Sequence, residues 1–373
     1  MLNNNTHIGI VGAGNIGSSI YQLIVSAGFD YKLSIADITD DKHWSISDQD
    51  YVKLNVPVNF DNIVEGKTLI INALPFSENI NLYKSCCKFN VPYFDLSEDC
   101  ELDKYISDHM GDISRQDIPF TMAHCGLAPG MSSVIANNLV SKLKNPKTVK
   151  IRVGALSQNS SNKLRYYTSW SGEGLVNEYM GDCEVIRRGE FSTEKALSGY
   201  EKLTLSGKEY EAFNTSGGIG SLARTLSENS NVCDLDYKTV RRIGHYNYVD
   251  FLFNDLQLSQ ESLTEIFKSC IPKTRKDVVI LYVSASGEGS DDEYTYCKTF
   301  KPQTINGRPL TAIEYTTAIG VITMVELFLT NQIKNKGYVT NEEIPLTTAL
   351  NTTLGKYYRE HDNINTHDYR END

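Results

Sequence analysis

Gly12, Gly14 and Gly17 stand in the spacing G-x-G-x-x-G, within Gly12-Ala13-Gly14-Asn15-Ile16-Gly17, and Asp37 lies twenty residues beyond the last of them. Glycine at the first position permits a tight turn, at the second a close backbone approach to a pyrophosphate, and at the third close packing of a helix on a strand. A helix opening at Asn15 and Ile16 would point its free N–H groups at those phosphates. A carboxylate at Asp37 is placed to accept hydrogen bonds from ribose hydroxyls. It would repel a ribose 2′-phosphate, with Asp40 and Asp41 beside it and no arginine near. The expected cofactor is therefore NAD(H) rather than NADP(H). Asn72-Ala73-Leu74-Pro75 ends a later apolar run, and Ala73, Leu74 and Pro75 are expected to flank the nicotinamide ribose.

These residues need a parallel sheet to hold them, and the pattern supplies one. His7 to Val11 is a buried strand by composition, and Ile16, Ile20, Leu23, Ile24 and Ala27 recur at helical spacing before the stop at Gly28. Further strands are expected at Tyr31 to Ala36, Thr68 to Leu74, Pro92 to Leu96 and Pro119 to His124, with helices at Asn79 to Phe89 and Leu102 to Met110. Alternation of this kind predicts an α/β fold: an N-terminal Rossmann domain, a doubly wound parallel sheet, over 1–126. After Cys125-Gly126-Leu127-Ala128-Pro129-Gly130 a helix at Met131 to Leu143 leads into strand-like segments (Val149 to Val153, Val278 to Ser284) among Gly/Ser-rich turns. A second α/β domain for substrate and dimerisation is expected over 127–310. A helical segment over 311–356 is expected to pack back on the first domain, and 357–373 reads as a polar tail.

Composition narrows the partners. With 36 basic against 47 acidic side chains the chain carries −11, which disfavours nucleic acid and anionic membrane surfaces. Met1 to Thr6 is polar and reads as no signal peptide. Ala312 to Leu329 is apolar but holds Glu314 and Glu326, and is expected to be a buried amphipathic helix rather than a membrane span. The eight cysteines form no C-x-x-C pair, and the seven histidines lack metal spacing. Reduced cysteines, a cytoplasmic location and no metal site are the expectation.

Several later segments are distinctive: Phe94-Asp95-Leu96-Ser97-Glu98 followed by the Cys125–Gly130 loop, Ser171-Gly172-Glu173-Gly174-Leu175-Val176-Asn177-Glu178-Tyr179, Glu211-Ala212-Phe213-Asn214-Thr215-Ser216-Gly217-Gly218, and Thr239-Val240-Arg241-Arg242-Ile243-Gly244-His245. At these residues, in this order along nearly the whole chain, the sequence resembles the saccharopine dehydrogenase-like oxidoreductases, most closely their lysine 6-dehydrogenases. Two places differ from the family pattern. Arg242-Ile243 replaces a Tyr-Pro pair, and Phe76 stands where saccharopine reductases carry tyrosine. The resemblance implies a homodimer and NAD(P)-linked oxidation of an amine on an amino acid.

Oxidising an amine requires a neutral amine, a hydride path to the nicotinamide and water for the imine. Asp95, at a strand end, is expected either to bind the substrate amine and take its proton or to serve as a turn carboxylate. His124 has the pKa for proton transfer near neutrality, with a buried, hydrogen-bonded role as its alternative. Cys125 matches a family position near the active site and is expected to line it without a covalent role. Arg241 matches the family arginine and is expected to fork onto the substrate carboxylate, with His245 near it. Glu173 is a candidate partner for the α-ammonium or a brace for its turn, and Thr215 and Ser216 a polar loop over the substrate.

Three readings follow. The first is an NAD-dependent dehydrogenase taking the lysine ε-amine to the semialdehyde. The second is a saccharopine dehydrogenase or carboxynorspermidine-type synthase, acting on a secondary amine with Arg165, Arg224 and Arg242 available for a second acid. The third is a non-catalytic NAD sensor or scaffold.

Overall fold

The computed structural model describes residues 6–40, 45–98, 101–109, 118–288, 293–360 and 370–372. Asp41, Cys100, Met110 and residues 361–369 of the expected tail lie outside them. The chain forms two compact units, one of Met1–Val134, Thr304–Leu310 and Glu314–Arg359, the other of Ile135–Gln303, Thr311–Ile313 and Glu360–Asp373.

In the first unit β1 (His7–Val11), β2 (Lys32–Asp37), β3 (Tyr51–Lys53), β4 (Leu69–Asn72), β5 (Tyr93–Asp95) and β6 (Thr121–Met122) form one sheet in the order β3-β2-β1-β4-β5-β6. Every neighbouring pair is parallel. The order reverses between β1 and β4, the switch point at which doubly wound sheets bind nucleotides. The strands are buried on both faces, and so their sequences are continuous apolar runs instead of alternating ones. Helices α1 (Asn15–Ser26), α2 (Asp61–Val64), α3 (Asn79–Phe89) and α4 (Glu101–His109) fall between the strands, and α5 (Met131–Ser141) follows the sheet. The short elements β3 and α2 give no readable period, and the sequence pattern does not announce them.

The second unit is a mixed sheet with helices. Its elements are β7 (Pro146–Ser157), α6 (Gly172–Glu178), β8 (Asp182–Arg187), β9 (Glu190–Lys195), β10 (Glu201–Leu205), β11 (Lys208–Asn214), α7 (Leu222–Asn229), β12 (Asp234–Arg241), α8 (His245–Asp250), α9 (Gln260–Cys270), β13 (Asp277–Gly287) and β14 (Glu293–Phe300). The strand order is β14-β13-β7-β12-β11-β10, with β8 branching from β12 to pair with β9. Only β7 and β12 run parallel. Leu175, Val176, Leu263 and Phe267 pack α6 and α9 into one cluster with Phe213 of the sheet. Charges buried on the sheet are paired: Arg152 meets Glu201 and Asp236, and Lys238 meets Glu201 at 2.8 Å. A buried charge without such partners would be strongly destabilising.

After the hairpin β15 (Gln303–Ile305) and β16 (Arg308–Leu310) comes α10 (Ala312–Leu329), then α11 (Leu346–Leu350). Both carboxylate oxygens of buried Asp277 cap the start of α10, accepting Ala312 N–H at 2.7 Å and Ile313 N–H at 2.9 Å. The expectation of an amphipathic helix is corrected here. Ala318, Ile319, Val321, Ile322, Met324 and Val325 are all buried, and they go right round the helix, which has no solvent stripe. This helix is long and apolar enough to cross a membrane, but 72% of it is buried inside the protein. Its Phe328 ring packs on Phe94 and Phe120, with centroids at 5.8 and 4.6 Å. The polar-tail reading also shifts: Tyr358 is buried and its hydroxyl donates to Thr316 O at 2.7 Å, while β17 (Arg370–Asn372) joins the β10 edge antiparallel.

Candidate functional site

The glycine loop leaves β1 through Gly12, whose φ of +102° suits glycine and disfavours any side chain. A Cβ there would sit 2.6 Å from the Ala73 carbonyl oxygen, and one on Gly17 would sit 1.8 Å from the Gly12 carbonyl oxygen. Around Gly14, by contrast, a Cβ would meet nothing within 4 Å. The first and third glycines therefore close the turn and seat α1, while the second leaves an open approach to the backbone. No side chain caps α1 at Gly14, so its first-turn N–H groups remain for an anion. Asp37 stands beside this loop. Its two oxygens accept Ala13 N–H at 2.7 Å and Thr39 N–H at 3.0 Å. Lys53, a cation on the neighbouring strand, is taken by Asp40 at 2.8 Å. Ala73 N–H donates to Val11 O at 2.7 Å, and Leu74 N–H to the Asn72 side chain at 3.0 Å, which fixes the Ala73–Pro75 turn against the loop. Gly12, Gly14, Asn15, Ile16, Gly17, Asp37, Ala73, Leu74 and Pro75 thus lie around one switch point, and the cradle fits a dinucleotide.

Asp95 and His124, the expected proton carriers, and Cys125, expected to line their site, are all turned inward. Asp95 is 1% exposed, and its oxygens accept His124 N–H at 2.9 Å, Ser97 N–H at 3.1 Å and the Tyr93 hydroxyl at 3.1 Å. Tyr93 in turn accepts from Asn72 at 2.8 Å. Burial pushes the Asp95 pKa up, against the pull of His124 and the two N–H groups. Of its two expected roles, the geometry matches the turn carboxylate, which ties the ends of β5 and β6. His124 has φ +63° and a buried ring. Its Nδ1 lies 2.6 Å from Ser97 O and its Nε2 2.6 Å from Asp103. With acceptors at both nitrogens, the ring is an imidazolium that donates twice. Burial alone would discharge it, but Asp103 outweighs burial and holds the pKa up at about 10. Tyr338 donates to the other Asp103 oxygen. Such a ring holds structure and has no proton to exchange near neutrality. Cys125 is fully buried, its thiol directed at Met122 O (3.3 Å), and burial pushes its pKa well up. It lines no surface.

The second unit departs from expectation in a similar way. Arg241 is 1% exposed. Its Nε donates to Tyr179 Oη at 2.7 Å, one terminal nitrogen to Glu178 at 3.0 Å and the other to Val240 O at 3.1 Å. The fork expected to grip a substrate carboxylate is already taken by Tyr179, Glu178 and the Val240 carbonyl. Tyr179 donates its hydroxyl to His245 Nε2 at 3.0 Å, and His245 Nδ1 donates to Leu164 O at 2.8 Å. Burial, then the Arg241 charge, pushes the His245 pKa down to about 3, so this ring is neutral and the relay is balanced. Thr215 is bonded to Thr239 at 2.7 Å, and the Ser216 hydroxyl to Asn177 O at 2.8 Å. Glu173 lies at the surface with Lys268 at 2.9 Å, in keeping with a brace. Glu211, which sequence reading passed over, is buried and receives Gly244 N–H at 2.8 Å and Tyr246 N–H at 2.5 Å. It joins the EAF segment to the Arg242–His245 turn. A cavity of about 1510 Å³ opens beside that turn, with Lys163, Arg165 and Arg242 in its wall. Arg224, the third expected cation, is engaged elsewhere by Glu184 at 2.8 Å. Among the described residues no three His, Cys, Asp or Glu side chains gather as metal ligands.

Comparison with known proteins covers both units. Residues 8–117 match the family model of the saccharopine dehydrogenase NADP binding domain, and residues 126–359 that of the saccharopine dehydrogenase C-terminal domain. Among solved structures, apo saccharopine dehydrogenase (L-Glu forming) from Saccharomyces cerevisiae is similar at TM-score 0.70 and 14% identity, over 95% of this chain and 96% of that one. At that identity the likeness is one of fold. C. glutamicum DAP dehydrogenase in complex with DAP reaches TM-score 0.47 at 13% identity, over 95% of this chain and 98% of that one. An engineered D-amino acid dehydrogenase reaches 0.48 at 12%, over 92% and 96%. These two are too distant to bear on the site. The dinucleotide that the glycine cradle fits is a nicotinamide dinucleotide. With that cradle in one unit and the C-terminal family domain spanning well over half of its length, the chain belongs to the saccharopine dehydrogenase family of oxidoreductases.

Proposed function

We propose that this protein is an NAD-dependent amino-acid dehydrogenase that oxidises an amine, with the lysine ε-amine as its first candidate substrate. The observation that carries the reading is the Asp37 carboxylate held at the mouth of the glycine loop by Ala13 N–H at 2.7 Å, in a chain of this family. Bound at the cradle, the nicotinamide accepts a hydride from the carbon bearing the amine. The chain's own part is to hold and orient. Gly14 and the start of α1 receive the pyrophosphate, Asp37 the adenosine ribose, and the Asn72-fixed turn at Ala73–Pro75 the nicotinamide end. The family domain is named for NADP, while Asp37, with Asp40 holding Lys53, favours the cofactor lacking a 2′-phosphate. Asp95, His124 and Cys125 are not offered as proton carriers, since each is buried and internally bonded.

One observation favours a second reading. Three cations in the second unit's cavity suit a substrate with an additional acid, as in a secondary amine joining two amino-acid halves. Initial rates of reduced-cofactor formation with lysine, saccharopine and carboxynorspermidine, each with NAD and with NADP, separate the cases. The expected result is turnover of lysine with NAD preferred over NADP at least tenfold in kcat/KM. Equal use of both cofactors would refute the role given to Asp37. Tight NADH binding without turnover of any amine would identify a sensor. The homodimer implied by the family resemblance is part of the proposal and is read by light scattering.

A further inference from the structure

The cavity in the second unit contains an arginine that the fold takes trouble to display. Arg165 has φ +53°, a left-handed conformation that is unfavourable for a non-glycine residue and persists only where its surroundings enforce it. Here they do. Arg165 N–H donates to Asn162 O at 3.0 Å. The Asn162 side chain then brackets the next residue, accepting Tyr166 N–H at 3.1 Å and donating to Tyr166 O at 2.9 Å. On one side of Arg165, the Leu164 carbonyl receives the buried His245 ring at 2.8 Å. On the other, Tyr166 is buried under the Arg241 guanidinium at 5.2 Å, and its hydroxyl accepts from Trp170 at 3.0 Å. Both neighbours are therefore anchored in the interior, while the Arg165 side chain is exposed in the cavity wall and forms no ion pair among the described residues.

Its company is chosen in the same sense. Lys163 stands two residues away, and Arg242 lines the same cavity with one terminal nitrogen on the Ser157 and Gln158 carbonyls at 3.1 Å each. Among the described residues, Asp255 is the only carboxylate in the wall. A surplus of positive charge at one concave place, on a chain of net charge −11, is the electrostatic complement of a small anion. A planar guanidinium fixed at its backbone is suited to a carboxylate, which it can take through two parallel N–H bonds.

We infer that Arg165, flanked by Lys163 and Arg242, binds a carboxylate of the substrate in the second unit, and that Arg241 is a positioning residue for the loop that presents it. The identity of the ligand rests on the amino-acid dehydrogenase reading; the anion site itself rests on the cavity.

Two measurements keep these apart. Glutarate, a dicarboxylate without an amine, is titrated by calorimetry into the NADH-loaded protein and into its Arg165→Ala and Arg165→Lys variants. Separately, kcat and KM are determined for lysine and for 1,5-diaminopentane, which lacks the carboxylate. Arg165→Ala is expected to weaken glutarate at least tenfold and to raise KM for lysine at least tenfold with little change in kcat. It should leave 1,5-diaminopentane unaffected, and Arg165→Lys should recover part of the loss. An unchanged melting temperature shows that the exposed substitution leaves the fold intact. Equal glutarate affinity in wild type and Arg165→Ala, or none in wild type, overturns the inference. Glutarate binding that depends on Arg165, without oxidation of any amine, overturns the dehydrogenase reading and leaves the site standing. Amine oxidation with an unchanged lysine-to-diaminopentane preference in Arg165→Ala does the reverse.

Discussion

A histidine ring 2.6 Å from a carbonyl and 2.6 Å from a carboxylate has given up its usual range of titration. His124 has a pKa near 6.5 in the unfolded chain and about 10 in the fold. Because the folded value is the higher one, the ring's contribution to stability is complete below pH 6.5 and is lost progressively as pH rises towards 10. His124→Gln removes that contribution. Its urea midpoint is therefore expected to fall furthest below wild type near pH 6 and to approach it as pH reaches 10. A gap that is constant, or that widens with pH, would show the ring to be neutral in the fold. The same residue illustrates what one sequence discloses. The strand that ends at Asp95 and the one that ends two residues before His124 were legible from their apolar runs, and so the place of both residues at the carboxyl edge of the sheet was too. Their direction was not, because it depends on Asp103 and Tyr338, the latter more than two hundred residues away in the chain. Arg241 is a parallel case. Its segment was recognisable, but its partner Glu178 lies in another segment, where it passed as part of a motif.

Elements were more legible than directions. A continuous apolar run placed β1 to the residue, and helical patterning placed α3 to the residue and α1 to within one residue at each end, since buried strands and one-sided helices leave strong patterns. Helix α10 left a weaker one, because an element surrounded by protein has no polar face to mark its period. What seats it is a close approach. A Cβ on Gly320 would stand 2.4 Å from the Gly126 oxygen and 2.7 Å from the Cys125 oxygen. Gly320→Ala would gain about 1 kcal/mol of helix propensity. Against this, forcing a methyl into backbone costs about 1–3 kcal/mol or more, and neither carbonyl is a flexible side-chain end that can step aside. The net expectation is a destabilised protein with a lower urea midpoint; a midpoint equal to or above wild type would mean that the helix slides freely on the Cys125–Gly130 loop.

For the molecule as a whole, the contact division falls at Val134, eight residues past the boundary expected at 126. The first unit is not a single stretch of chain: its sheet comes from Met1–Val134 and its covering helix from Glu314–Arg359. A chain ending at Gln303 therefore lacks the Phe328 ring that packs on Phe94 and Phe120, together with the rest of α10. It is expected to bind the dye ANS strongly and the reduced nicotinamide dinucleotide not at all, and the full chain is expected to do the opposite. NADH affinity equal to that of the full chain would show that the sheet and α1–α4 suffice. The discontinuity also has a consequence for synthesis. About 180 residues separate Val134 from Glu314. At roughly 5–20 residues per second, the emerging N-terminal sheet waits on the order of ten to thirty seconds for its last helix. During that interval its apolar strands are uncovered at the ribosome, and chaperone demand should concentrate there.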